Sequence, residues 1–176
     1  MPGNEVEVVL RQSLTLSVNG EPRQVLCDPR WSLLDVLRGP LGLRGTHRGC
    51  DTGRCGACTV ILDRRSVPAC LVLALGCQTS EILTIEGLNA DGSLHPIQHA
   101  LVEHGGIQCG FCTPGMVMAA VALLQRNPNA GSEEIRRDLS GNLCRCTGYV
   151  KIVEAVAAAA GELTAMPAQV QREGSS

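Results

Sequence analysis

Aromatic side chains are nearly missing from this chain: Trp31, Phe111 and Tyr149 are the only three in 176 residues. Small cores without large rings commonly need a staple, either a metal or a disulfide. Lys151 is the only lysine, and nothing functional follows from that. No run approaches the roughly 18 consecutive apolar residues of a membrane span; even the stretch 153–160 is interrupted by Glu154. The first ten residues lack both a charged-then-apolar signal pattern and a twin arginine. A cytoplasmic location is therefore expected, where cysteines are more often metal ligands than disulfide partners. The 15 basic and 17 acidic residues are mixed along the chain and leave a net charge of −2. Without a basic stripe, no nucleic-acid partner is expected. Neither a Ser-His-Asp order nor a Walker or GxGxxG pattern occurs, and His47, His95, His99 and His104 share no ligand spacing. No catalytic residue is expected on this chain.

What is present begins with 44% apolar residues, enough for real cores. Leu14, Leu16 and Val18 alternate with polar residues, and Asn19-Gly20 offers a hairpin turn before a return strand from Val25. Ser32 can cap a short helix that buries Leu33, Leu34, Val36 and Leu37. Glycines at 42, 45, 49, 53 and 56 then exclude a regular helix and describe a tightly wound loop. Further strands are expected at 59–62 and 82–85, giving an α+β unit. A linker is expected at 87–93. Beyond it the pattern is helical: from Pro96, from Pro114 to the Asn127-Pro128-Asn129 breaker, from a Ser132 cap to Leu139, and from Tyr149 to Ala160. The resulting division is 1–88, 89–161 and a flexible tail at 162–176.

Ten cysteines dominate the chemistry. Cys50, Cys55, Cys58 and Cys70 are spaced C-x4-C-x2-C-x11-C, and the first three match the plant-type spacing for a 2Fe–2S cluster. Such a cluster is anionic, so backbone N–H groups must reach its sulfurs, and Gly49, Gly53 and Gly56 let the main chain wrap closely enough. Zinc sites more often show paired C-x2–4-C knuckles. Cys109 and Cys112 form a C-x2-C pair, and Cys144 and Cys146 form C-x-C, each just before a predicted helix. Two helix N-termini would present free N–H groups and positive dipole ends to an anion. Taken alone, this second set is open between zinc and iron–sulfur; beside the first, iron is the better assignment. Cys27 and Cys77 fall outside both sets and read as buried apolar thiols.

The run Gly-Cys-Asp-Thr-Gly-Arg-Cys-Gly-Ala-Cys-Thr-Val at 49–60 resembles the first signature of the small iron–sulfur subunit of the xanthine oxidase (molybdenum hydroxylase) family. The segments 108–116 (Gln-Cys-Gly-Phe-Cys-Thr-Pro-Gly-Met) and 141–149 (Gly-Asn-Leu-Cys-Arg-Cys-Thr-Gly-Tyr) are similar to its other two, and 84–88 between them also fits. The wording is most like the carbon monoxide dehydrogenase type. The resemblance implies a β-grasp ferredoxin-like domain followed by an all-α four-helix bundle domain. It implies a 2Fe–2S cluster on each set of four cysteines, with molybdopterin on a large partner subunit and FAD on a medium one. Electrons would pass from the pterin centre through the cluster of Cys109, Cys112, Cys144 and Cys146 to that of Cys50, Cys55, Cys58 and Cys70, then to the flavin. Gln108 and Cys146 would lie nearest the pterin; for Gln108 a simple polar cap remains the other reading. Arg145 stays open between a solvated charge and an interface contact. The rival functions are a diffusible ferredoxin and a zinc-stapled structural module.

Overall fold

The structure, a computed structural model, describes residues 11–89 and 92–165. Its first strand, β1 (Gln12–Val18), buries Leu14, Leu16 and Val18 on one face, as a two-residue period requires. Asn19 and Gly20 both take positive φ (54° and 79°), the backbone of a tight hairpin turn. Because that turn uses only two residues, pairing resumes at once, with Val18 opposite Glu21. β2 (Glu21–Cys27) therefore starts four residues earlier than its apolar half suggests. Its first four residues are exposed and Pro22 is among them, which suits an edge strand.

Helix α1 (Leu33–Arg38) is capped as expected, and reciprocally. The Asp35 N–H donates to Ser32 Oγ at 3.2 Å, while the Ser32 N–H donates to Asp35 Oδ2 at 2.9 Å. Leu33, Leu34, Val36 and Leu37 are fully buried. β3 (Thr59–Leu62) pairs with β4 (Arg65–Pro68) across Asp63 and Arg64, both at positive φ. β5 (Glu81–Leu83) is shorter than the 82–85 reading, because Thr84 is taken by Asn19 and Glu86 and the chain turns into a 3₁₀ segment, Ile85–Asn89. The five strands order β2-β1-β5-β3-β4, with β1 and β5 parallel and the other pairs antiparallel. That 3₁₀ segment occupies part of the expected linker; residues 90–91 lie outside the described residues.

The second half is helical: α2 (Pro96–Glu103), α3 (Thr113–Arg126), α4 (Ser132–Asp138) and α5 (Val150–Ala165). α3 is buried on all sides from Gly115 to Leu124, as a helix apolar all round must be. It packs against β3, so the two halves share a boundary through Ile61. Two apolar clusters result, one between the sheet and α1 and one around α3. Alanines at 119, 120, 122, 155 and 159 let the second pack closely, with Tyr149 against its margin.

Two helix starts differ from the sequence reading. Gly131, not Ser132, occupies the cap of α4, and no side-chain cap forms there. Tyr149 sits at φ 71°, a left-handed conformation that no helix admits, so α5 begins one residue later. α5 also continues past the expected end at Ala160 to Ala165; the remainder of the expected tail, 166–176, lies outside the described residues.

Candidate metal centres

The first cysteine set is assembled by a loop and a hairpin. Register between β3 and β4 pairs Thr59 with Pro68, which sets Cys58 and Cys70 at adjacent hairpin ends, and the Ala69 N–H donates to the Cys58 carbonyl at 3.1 Å. The hairpin thus explains the long C-x11-C gap. The loop from Gly49 to Cys58 uses positive φ at Asp51, Gly53 and Gly56. At Gly49 a Cβ would lie 2.7 Å from Cys55 Sγ, so only glycine lets this strand of backbone close on the sulfur. Arg48 fastens the loop to α1, reaching both Asp35 and Asp51.

Electrostatics follow from those contacts. The Thr52 hydroxyl and N–H, with the Cys55 N–H, bring the Cys50 thiol down to about 6. The Thr52 N–H lies 3.5 Å from that sulfur. Burial pushes Cys55 up, and it pushes Cys58 up to about 11 with Cys70 beside it. The thiols of this set act on one another, Cys55 on Cys50 and both Cys70 and Cys55 on Cys58.

The second set gathers at two helix starts. Cys112 is the cap residue of α3 and forms no side-chain cap bond, leaving its sulfur for other partners. Cys109 and Cys146 sulfurs lie 3.6 Å apart, and both residues are exposed. Burial first, then the neighbouring Cys144, pushes Cys112 up to about 12. Burial also acts to raise Cys144, but the Thr147 hydroxyl and backbone N–H groups outweigh it and bring the thiol to about 7. The N–H of Phe111 lowers Cys109. Tyr149 holds this loop from outside: the Cys144 N–H donates to its phenolic oxygen at 2.8 Å.

Among the described residues, no three His, Cys, Asp or Glu side chains converge on one ion-sized point. Four thiols at each site are instead the donor set that a two-iron cluster asks for. Thiols already lowered by N–H and hydroxyl donors suit anionic ligation. The residues present fit the group.

Gln108 and Arg145 are exposed beside Cys109 and Cys146. Exposed Phe111, Leu143 and Val150 flank the same loops. Cys27 and Cys77 are buried in the sheet cluster, as their apolar reading expects. Sequence reasoning missed the residues that join the two sites. His47 stacks on Phe111 with centroids 5.0 Å apart, and its Nδ1 lies 2.8 Å from the Phe111 carbonyl oxygen, so Nδ1 must carry the proton. The Leu143 N–H donates to the Cys55 carbonyl at 2.9 Å. Buried Asn142 donates to the Gly56 carbonyl at 2.9 Å and to Thr59 Oγ1 at 3.1 Å. No local signal reveals contacts between residues 86 positions apart.

Two domain families match in series: a 2Fe-2S iron-sulfur cluster binding domain over residues 16–80 and a 2Fe-2S binding domain over residues 84–157. The chain is 46% identical over 165 residues to the aldehyde oxidoreductase iron-sulfur-binding subunit PaoA of Escherichia coli, covering 85% of this chain and 72% of that one. It is 47% identical over 144 residues to the nicotinate dehydrogenase small FeS subunit of Eubacterium barkeri, covering 82% and 92%. Among solved structures, quinoline 2-oxidoreductase from Pseudomonas putida 86 superposes with TM-score 0.84 at 40% identity, over 88% of this chain and 96% of that one. With two such domains in this order and relatives of this likeness, the chain belongs to the family of small iron–sulfur subunits of molybdenum hydroxylases. It is the electron-transfer component of an oxidoreductase. No helix among the described residues is long and apolar enough to cross a membrane.

Proposed function

We propose that the chain holds two 2Fe–2S clusters and carries electrons between a molybdopterin centre on a large subunit and FAD on a medium subunit. The observation that carries this reading is the gathering of cysteines at two separate sites, with the Cys109 and Cys146 sulfurs 3.6 Å apart and N–H or hydroxyl groups on the sulfurs of Cys50 and Cys144. Cys50, Cys55, Cys58 and Cys70 would hold one cluster; Cys109, Cys112, Cys144 and Cys146 would hold the other. When bound, each cluster supplies a one-electron carrier. This chain's own residues fix position and environment: thiolates ligate, and backbone N–H groups stabilise negative charge on sulfur.

The reading assigns the two cluster sites to units at 1–88 and 89–161, the first a β-grasp unit and the second a four-helix bundle. The five-stranded mixed sheet and the four helices after it support that assignment. The pterin-facing surface is assigned to Gln108 and Cys146. Their exposure beside exposed Phe111 and Leu143 supports it, since apolar groups around a charged site are what a partner would cover. Arg145 falls on the same surface. A cytoplasmic hetero-oligomer is the expected setting.

The test is co-production with candidate large and medium chains from the same source. A stable complex containing molybdenum, FAD and four irons per small chain supports the reading. A chain that stays monomeric and exchanges electrons alone points to the diffusible-carrier reading.

A further inference from the structure

Three segments meet at one buried point between the two cysteine sites. The Gly56 carbonyl, in the first loop, accepts the Asn142 side-chain N–H at 2.9 Å, the Thr59 hydroxyl at 2.7 Å and the Thr59 N–H at 3.1 Å. Asn142 comes from the second loop, two residues before Cys144, and only 5% of it is exposed. Gly115, in the first turn of α3, closes the third side: a Cβ there would stand 2.2 Å from the Gly56 oxygen and 3.2 Å from Asn142 Nδ2. A Cβ on Gly56 would in turn meet the Gly141 carbonyl at 2.5 Å and Asn142 Nδ2 at 2.7 Å. Beside this point, the Leu143 N–H donates to the Cys55 carbonyl at 2.9 Å, tying the residue before one proposed ligand to another proposed ligand.

We propose that Asn142 is a positioning residue that sets the spacing and coupling of the two cluster sites by clamping the Gly56 carbonyl and Thr59 to the second loop. The proposal rests on the two-cluster reading above. Each site is otherwise built within its own half, so each can form without the other. Their separation depends on a few cross-boundary bonds; Asn142 supplies two that a side chain makes, and His47, through Nδ1 to the Phe111 carbonyl, supplies another. A buried amide in this place is costly to release: freed from Gly56 and Thr59, its donors would be stranded. Because electron transfer and dipolar coupling both weaken with distance, loosening the clamp should reach function while leaving ligation intact.

The test uses the purified complex, reduced with dithionite, in wild-type, N142A and T59V forms. Iron per small chain, both electron paramagnetic resonance signals and the spin–spin interaction between the two centres are measured together, with melting temperature alongside. The wild type should show two interacting signals. N142A should keep four irons and both signals while losing most of the interaction, and T59V, which removes one acceptor and preserves strand propensity, should weaken it less. A merely structural role would lower the melting temperature and leave the interaction unchanged. Four irons with a wild-type interaction in N142A, or in T59V should N142A fail to assemble, overturns the proposal. A wild-type complex without two iron–sulfur signals instead overturns the cluster reading beneath it.

Discussion

Adding one methyl group at Gly115 should reverse the usual sign of a glycine-to-alanine change in a helix. In an open helical position the change stabilises by up to about 1 kcal/mol. At Gly115 the new Cβ would sit 2.2 Å from the Gly56 carbonyl oxygen and 3.2 Å from the Ala57 Cα. The first atom is backbone, so no rotamer relieves it; the N-terminal end of α3 and the first cysteine loop must separate. Overpacking of this kind costs roughly 1–3 kcal/mol. Separation also strands the buried Asn142 donors, at roughly 1–3 kcal/mol more. After the helix gain is offset, G115A should be about 3 kcal/mol less stable, or about 10 °C in apparent melting temperature for a domain of this size. Gly161 provides the control, since it lies in α5, is exposed and has nothing within 4 Å of a built Cβ. G161A should melt about 2–4 °C higher than wild type. Thermal unfolding followed by far-ultraviolet circular dichroism, on samples of equal iron content, makes the comparison. If G115A melts at or above wild type, the packing described between the two loops is wrong.

Other perturbations have equally definite outcomes. Burial acts to raise the Asp35 pKa, but the Ser32 donors and the Arg48 guanidinium outweigh it and hold the carboxyl below its ordinary value. A depressed carboxylate stabilises the fold above its unfolded pKa and stops doing so as pH falls through its folded one. D35N should therefore cost about 1 kcal/mol at pH 7, mostly as lost capping with the exposed ion pair adding little, and the deficit should close as acid is added. Melting temperature against pH measures it, and a deficit that grows in acid contradicts the assignment. In metal-free chain at pH 7, iodoacetamide should label Cys50 and Cys144, near 6 and 7, before Cys58 and Cys112, near 11 and 12. Peptide mass mapping over time reads the order. V150D places an acid on an exposed residue at the start of α5, where the helix dipole favours it. Folding and iron content should be unchanged while association with the large subunit weakens, as gel filtration would report; undiminished association would remove Val150 from the interface.

How much of this was legible beforehand varies with the range of the interaction. Asn19-Gly20 announced its hairpin because glycine and asparagine tolerate the positive φ both residues adopt. The β3–β4 turn uses the same kind of backbone at Asp63-Arg64, without a glycine, and β4 is mostly polar or exposed; neither gives a periodic signal. The capping box of α1 lies within four residues and was half visible from Ser32 alone. Tyr149 looked like helix because apolar residues follow it, yet its backbone turns left so that its hydroxyl can accept from Cys144. Spacing suggested two four-cysteine groups, but not which residues the fold sets side by side. That placement depends on a hairpin register for Cys58 and Cys70 and on two helix starts converging for Cys109 and Cys146. Asn142 was least visible, since its role exists only once residues 56, 59 and 115 surround it.

The central claim is two 2Fe–2S clusters on eight named cysteines, and electron paramagnetic resonance of the dithionite-reduced chain with iron counted tests it most directly. The account predicts four irons per chain and two distinguishable signals. It further predicts that C58S loses one signal and C112S the other, each variant keeping its remaining cluster. Zinc in place of iron, or a single signal with two irons that survives in neither or both variants, would contradict it.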